Sequence, residues 1–237
     1  MNAARPLLLL AVATAGTVSL ARGAVPEQIV PVNPEPGSPV FTRPSTATTG
    51  GTTATSSYQG AWGTADAYAT LMSQTYGADA VAAAQAAGIN PDTLAAFGQI
   101  ESHFQNVGNT SSSAQGVWQV TDGTWNQYAS RLGLSTADRS DPVAQAKVAS
   151  AIISDYASTV SRATGAPATG TQVYGAYMFG TKAGSAIATA SNPNAPLSQF
   201  VSAKALAANN MSSWTVGQYQ QTVASRMGSG ASEAVTS

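Results

Sequence analysis

Few side chains in this 237-residue chain can move a proton. Charged residues make up 9% of it, against about a quarter in an ordinary globular protein. There is no cysteine, which excludes disulfides, thiolate metal sites and a thiol nucleophile. His103 is the single histidine, so sites with several histidine ligands and triads needing a second histidine are excluded too. No metal or cofactor is implied. The carboxylates remain, and Glu101 stands apart among them. In 91-PDTLAAFGQIESHF-104, Leu94, Phe97, Glu101 and Phe104 are spaced three, four and three apart, one face of a helix. A carboxylate on an apolar stripe is costly unless it keeps its proton, because burial disfavours the ionised form. A carboxylic acid protonated near neutral pH is what general-acid cleavage of a glycosidic bond requires. The competing reading makes Glu101 the half-exposed end of a helix, paired with a distant arginine; spacing alone does not separate the two.

The other candidates are weaker. His103 falls about 200° round the helix from Glu101 and is expected beside Ile100 or on the surface. Asp92, nine residues earlier, lies roughly 13 Å along the axis, beyond the roughly 6.5–9.5 Å of an inverting carboxylate pair. Asp122 is the one acid that folding could bring to Glu101; its alternative role is an acid before a helix start.

The elements that must hold Glu101 read as helices from about Thr64 to about Gly228. Thr64 can cap a helix bearing Tyr68, Leu71 and Met72, and 78-ADAVAAAQAAGI-89 comes next, ending near Gly88. Asn90-Pro91-Asp92 is a start signal: an Asn cap, Pro at the first helical position, an acid near the positive end. Asp141-Pro142 repeats that logic before Val143, Ala146, Val148, Ala149, Ile152, Ile153 and Tyr156. Thr215 can cap a last helix through Val223 and Met227. Strand signals are lacking, so the expected class is all-α, one domain over 64–228.

The flanks read differently. Arg5 and the apolar or small run from Leu7 to Leu20 resemble a signal peptide over 1–24, with small residues at cleavage-like spacing around Ala21 and Gly23. The competing reading is a retained amino-terminal anchor. Residues 25–60, including 31-PVNPEPGSPVFTRPSTATTGGTTATSSYQG-60, are rich in Pro, Thr, Ser and Gly and read as a disordered linker. Residues 229–237 read as a loose tail. A formal net charge of -1 gives no electrostatic reason to expect nucleic acid or an anionic membrane as partner.

The residues after Glu101 carry a resemblance. Glu101-Ser102 is followed by Phe104, then by a Ser-rich loop with Ser113-Ala114, then by Gly116-Val117-Trp118-Gln119, with Gln119 18 residues after Glu101. This pattern resembles the lytic transglycosylases of the SLT type, in the lysozyme-like superfamily, where Glu-Ser, Gly-Ala and Gly-Leu-Met-Gln stand at these places and the next helix starts at the position of Thr124. A later element, usually Ala-Tyr-Asn-Ala-Gly, reads 176-AYMFG-180 here, with Tyr177 and Gly180 matching and Met178 in place of Asn. With 191-SNPNAPLSQFVSAKALAANN-210 after it, this reads as a subgroup; the resemblance covers about Ala78 to Met227.

The resemblance implies a lysozyme-like helical fold and the glycan strand of peptidoglycan as substrate. Glu101 would protonate the oxygen between MurNAc and GlcNAc, then take the proton from the MurNAc C6 hydroxyl, leaving a 1,6-anhydro end. Gln119 would hydrogen-bond an acetamido or hydroxyl group of the glycan. Tyr177 would set a hydroxyl near Glu101 or the acetamido, unless it is a core tyrosine. Ser102 would orient Glu101 or cap the helix end, and Trp118 would line the sugar groove or pack. The expected location is periplasmic or secreted, as a monomer, acting alone or with a cell-envelope machine. Two alternatives stay open: a water-using muramidase with Asp122 as base, and a peptidoglycan-binding module without turnover.

Overall fold

A computed structural model describes residues 66–110 and 112–236. The expected signal peptide, the linker and the Thr64 cap lie outside the described residues. Among the described residues nine α-helices run in order: α1 (Asp66–Met72), α2 (Gly77–Ala86), α3 (Pro91–Ser102), α4 (Asp122–Arg131), α5 (Pro142–Thr164), α6 (Gly170–Phe179), α7 (Thr181–Ala188), α8 (Ala203–Ala208) and α9 (Val216–Met227). No strand lies among the described residues, only isolated bridges such as Gly108 with Gln115 and Gln115 with Val120. The all-α class expected from the periodicity is the one observed.

The start signals act as written. The Asn90 side-chain oxygen accepts from the Asp92 backbone N–H at 2.9 Å, and Pro91 sits at the first helical position. Asp141 accepts from the backbone N–H groups of Val143 and Ala144 at 3.0 and 3.2 Å, opening the 23-residue α5. Thr215 and Gln218 form a reciprocal capping box on α9.

The long helix α5 is the spine. Its Val148, Ile152, Ile153, Tyr156 and Val160 are buried, and it packs on α2, α6 and α7. On the other side, α3 is enclosed by α1, α2, α5, α6 and α9. Helices α6 and α7 meet so closely that a Cβ on Gly184 would stand 2.2 Å from the Ala176 backbone nitrogen. Only glycine fits that contact.

The segment after α9 is not loose. Gly228–Ser232 forms a 3-10 turn, and Val235 is fully buried. The Val235 carbonyl accepts from the Asn90 N–H at 2.8 Å, its own N–H donates to Ala168 at 2.9 Å, and the Gly170 N–H donates to Glu233 at 3.1 Å. The Asn90 amide nitrogen also donates to the Glu233 carboxylate at 2.7 Å. Small residues without a period hid this docking. One valine and a row of backbone hydrogen bonds hold the segment instead of an apolar face.

Candidate active site

Helix α3 delivers Glu101 to the interior. Every α3 residue except Gln99 is buried, so the apolar stripe read from the sequence is in fact a whole enclosed helix. The helix ends one residue after Glu101. His103 and Phe104 both take left-handed backbone angles, φ 53° and 62°, so Phe104 belongs to the exit turn and not to the helical face. His103 is exposed, one of the two places expected for it.

Glu101 is 0% exposed, and neither carboxyl oxygen has a hydrogen-bond partner. Burial pushes its pKa well above the usual carboxylate range. The hydroxyl of Tyr174 opposes this slightly: it is directed at the carboxyl, though no atom pair there reaches full hydrogen-bond geometry. Tyr177 and Tyr219 also sense Glu101, whose charge adds to the burial that raises their own pKa values. Phenols from α6 and α9 thus lie near enough to the carboxyl to feel its charge.

The expected partners are present but turned to structural work. Ser102 donates to the Val117 carbonyl at 2.7 Å, fixing the loop to the end of α3 and leaving Glu101 unoriented by it. Tyr177 donates to the Trp118 carbonyl at 2.8 Å, so its proton is committed away from Glu101. The Trp118 indole is fully buried and donates to the Leu94 carbonyl at 2.9 Å, packed in the core. Gln119, at φ 45°, spends its amide nitrogen on the carbonyls of Val107 and Gly116 at 2.9 and 2.7 Å. Its side-chain oxygen is buried with no partner. Gln119 is therefore 1% exposed and holds its own loop, where glycan contact was expected. Each of these groups closes a buried backbone polar atom that a tight loop would otherwise strand.

Gln145 and Arg139 escaped the sequence reading. Gln145 accepts from the Val117 N–H at 2.8 Å and donates to Asn106 and to the Arg139 carbonyl, both at 2.8 Å. Arg139 donates to the Val120 carbonyl at 2.6 Å and pairs with Asp122. That pairing disposes of Asp122 as a base beside Glu101. Its side chain is 62% exposed and bound to an arginine, while Glu101 is sealed. Tyr174 could have been found from the sequence, since it lies three residues before Tyr177 on the same helix. Tyr219 had no local signal: it reaches the site from α9.

Among the described residues, a surface hollow of about 650 Å³ lies between α2, α4 and α5, and one of about 250 Å³ lies along α9; neither is lined by Glu101.

Residues 79–195 match the family model of the transglycosylase SLT domain. Over that segment the sequence is similar to SLT domains, and the helical fold is lysozyme-like. The match holds Glu101, Gln119, Tyr174 and Tyr177 and stops before Tyr219. A solved structure of related shape is an inactive mutant of the lytic transglycosylase Slt from Pseudomonas aeruginosa. It is 15% identical with a TM-score of 0.45, and the match covers 67% of this chain and 26% of that one. The chain thus spans about a quarter of that protein's length. No curated protein matches the sequence.

Proposed function

We propose that this protein is a peptidoglycan lytic transglycosylase with Glu101 as acid and then base. The observation that carries the reading is the buried, proton-holding carboxyl of Glu101 at the end of α3, inside the segment similar to SLT domains. Glu101 protonates the oxygen between MurNAc and GlcNAc as the C1–O bond breaks. The MurNAc acetamido group steadies the positive charge at C1. Glu101, now ionised, removes the proton of the MurNAc C6 hydroxyl, whose oxygen bonds to C1. The products are a free GlcNAc end and a 1,6-anhydro-MurNAc end, and no water is consumed. Export to the envelope through residues 1–24 belongs to this proposal.

One observation favours a second reading. Because Glu101 is 0% exposed, a glycan reaches it only if some of the residues around it move. A module that binds peptidoglycan without turnover needs no such motion. Mass spectrometry of sacculus digests separates the two. The transglycosylase yields anhydro-muropeptides, and Glu101→Gln, which keeps shape and loses the proton, yields none. Reducing-end MurNAc without the anhydro bridge would point to a water-using muramidase. Binding with no released muropeptide would establish the second reading.

A further inference from the structure

Glu101 needs a partner when it ionises, because a bare carboxylate in an apolar interior is strongly disfavoured. The groups facing it come from two helices: Tyr174 and Tyr177 on α6, and Tyr219 on α9. Arg226 on α9 senses Tyr174, and Tyr156 on α5 senses Tyr177 from behind. Tyr177 has given its proton to the Trp118 carbonyl. Tyr219 also keeps a buried hydroxyl without a partner, but that hydroxyl lies against α6, where a Cβ on Gly175 would be 3.5 Å from it, and Tyr174 is the phenol directed at the carboxyl. Met178, next to Tyr177 and also buried, brings no donor. Tyr174 remains, 1% exposed, its hydroxyl without a partner at full bonding geometry.

Its ring is fixed in place. Phe97, one turn before Glu101 on α3, meets it edge-on with centroids 5.0 Å apart, and Tyr177 stacks on it at 6.3 Å and 13°. A phenol held this way can serve both states of the carboxyl. It accepts from the protonated acid and donates to the carboxylate by turning its own O–H, with no heavy atom moving.

We infer that Tyr174 is the positioning residue for Glu101, holding its carboxyl in the acid state and stabilising the carboxylate formed after proton donation. The inference rests on Glu101 being the acid, but the contact can be tested without turnover. The experiment follows the carboxyl carbon of Glu101 by NMR in the full chain labelled with ¹³C-glutamate, the signal being assigned by its loss in Glu101→Gln. Tyr174→Phe is expected to move the Glu101 titration midpoint up, because it removes the donor that opposes burial. Tyr177→Phe is expected to leave the midpoint in place, because its O–H already serves the Trp118 carbonyl. In turnover, Tyr174→Phe is expected to lower kcat roughly tenfold, about the worth of one hydrogen bond to a charged group, with KM unchanged. Should Tyr174→Phe unfold, 3-fluorotyrosine at 174 keeps the packing and strengthens the donor; it should move the midpoint down. A midpoint unmoved by either change, or moved equally by Tyr177→Phe, overturns the inference. If Glu101→Gln stays active, the proposed function fails while the titration still reads the contact.

Discussion

A carboxyl with both oxygens out of water has one resting state, the protonated one. For Glu101 this couples folding to pH with a definite sign. The folded carboxyl binds its proton more tightly than the unfolded chain does, since burial raises its pKa. Its contribution to stability is therefore full below the unfolded carboxylate range and is lost as pH climbs toward the folded value. Urea unfolding of wild type and Glu101→Gln across a pH series should show this directly. The two should run together in acid. Above about pH 4.5 the wild type should fall behind by up to about 1.4 kcal/mol per pH unit until the folded pKa is reached. Parallel curves throughout would mean that the carboxyl is not held protonated. The burial of Glu101 was consistent with the spacing of its neighbours Leu94 and Phe97, because helical spacing reports which residues share a face. The directions taken by Gln119, Trp118 and Tyr177 were not legible. A sequence names polar atoms but does not say which stranded carbonyl each must satisfy.

Elements set where those atoms go. Helix α3 depends on Asn90, whose side chain caps it and also reaches Glu233. Asn90→Ala should cost about 1–2 kcal/mol, the upper range for a lost cap, as read by denaturant midpoint. An unchanged midpoint would show that the backbone bonds around Val235 suffice alone. The loop after α3 is narrower still in what it accepts. Gly116 has φ 87°, and a Cβ there would stand 2.3 Å from the Gln145 side chain. Gly116→Ala should destabilise by about 1–3 kcal/mol, through strain at a positive φ and displacement of Gln145 from Val117. If the cost arises at Gln145, adding Gln145→Ala should recover none of it. The free Val117 N–H replaces one penalty with another. The helix starts at Asn90 and Asp141 were plain in the sequence, since cap and proline are local chemistry. Gln145 was hidden for the opposite reason. Its partners Asn106, Val117 and Arg139 are joined only by the fold.

At the scale of the molecule, the segment after α9 closes a ring. It joins the start of α3 to the start of α6, the helices that carry Glu101 and both Tyr174 and Tyr177. Val235 is fully buried there. Val235→Ala should cost about 1–2 kcal/mol. It should also speed hydrogen exchange at the Asn90 amide, which donates to the Val235 carbonyl; protection equal to wild type would show that the segment contributes nothing to α3. The helical character of residues 66–227 could be read ahead from periodicity. This closure could not, for it rests on backbone groups that every sequence possesses.

That ring also fixes an order of events. The bond between Asn90 and Glu233 spans 143 positions of the chain. During synthesis, α3 emerges long before the segment that caps its entrance exists. The entrance of α3 cannot acquire its finished bonding on a nascent chain, and gains it only when residue 235 has been added. The same geometry that fastens the helix carrying Glu101 thus postpones that fastening until synthesis has passed residue 235.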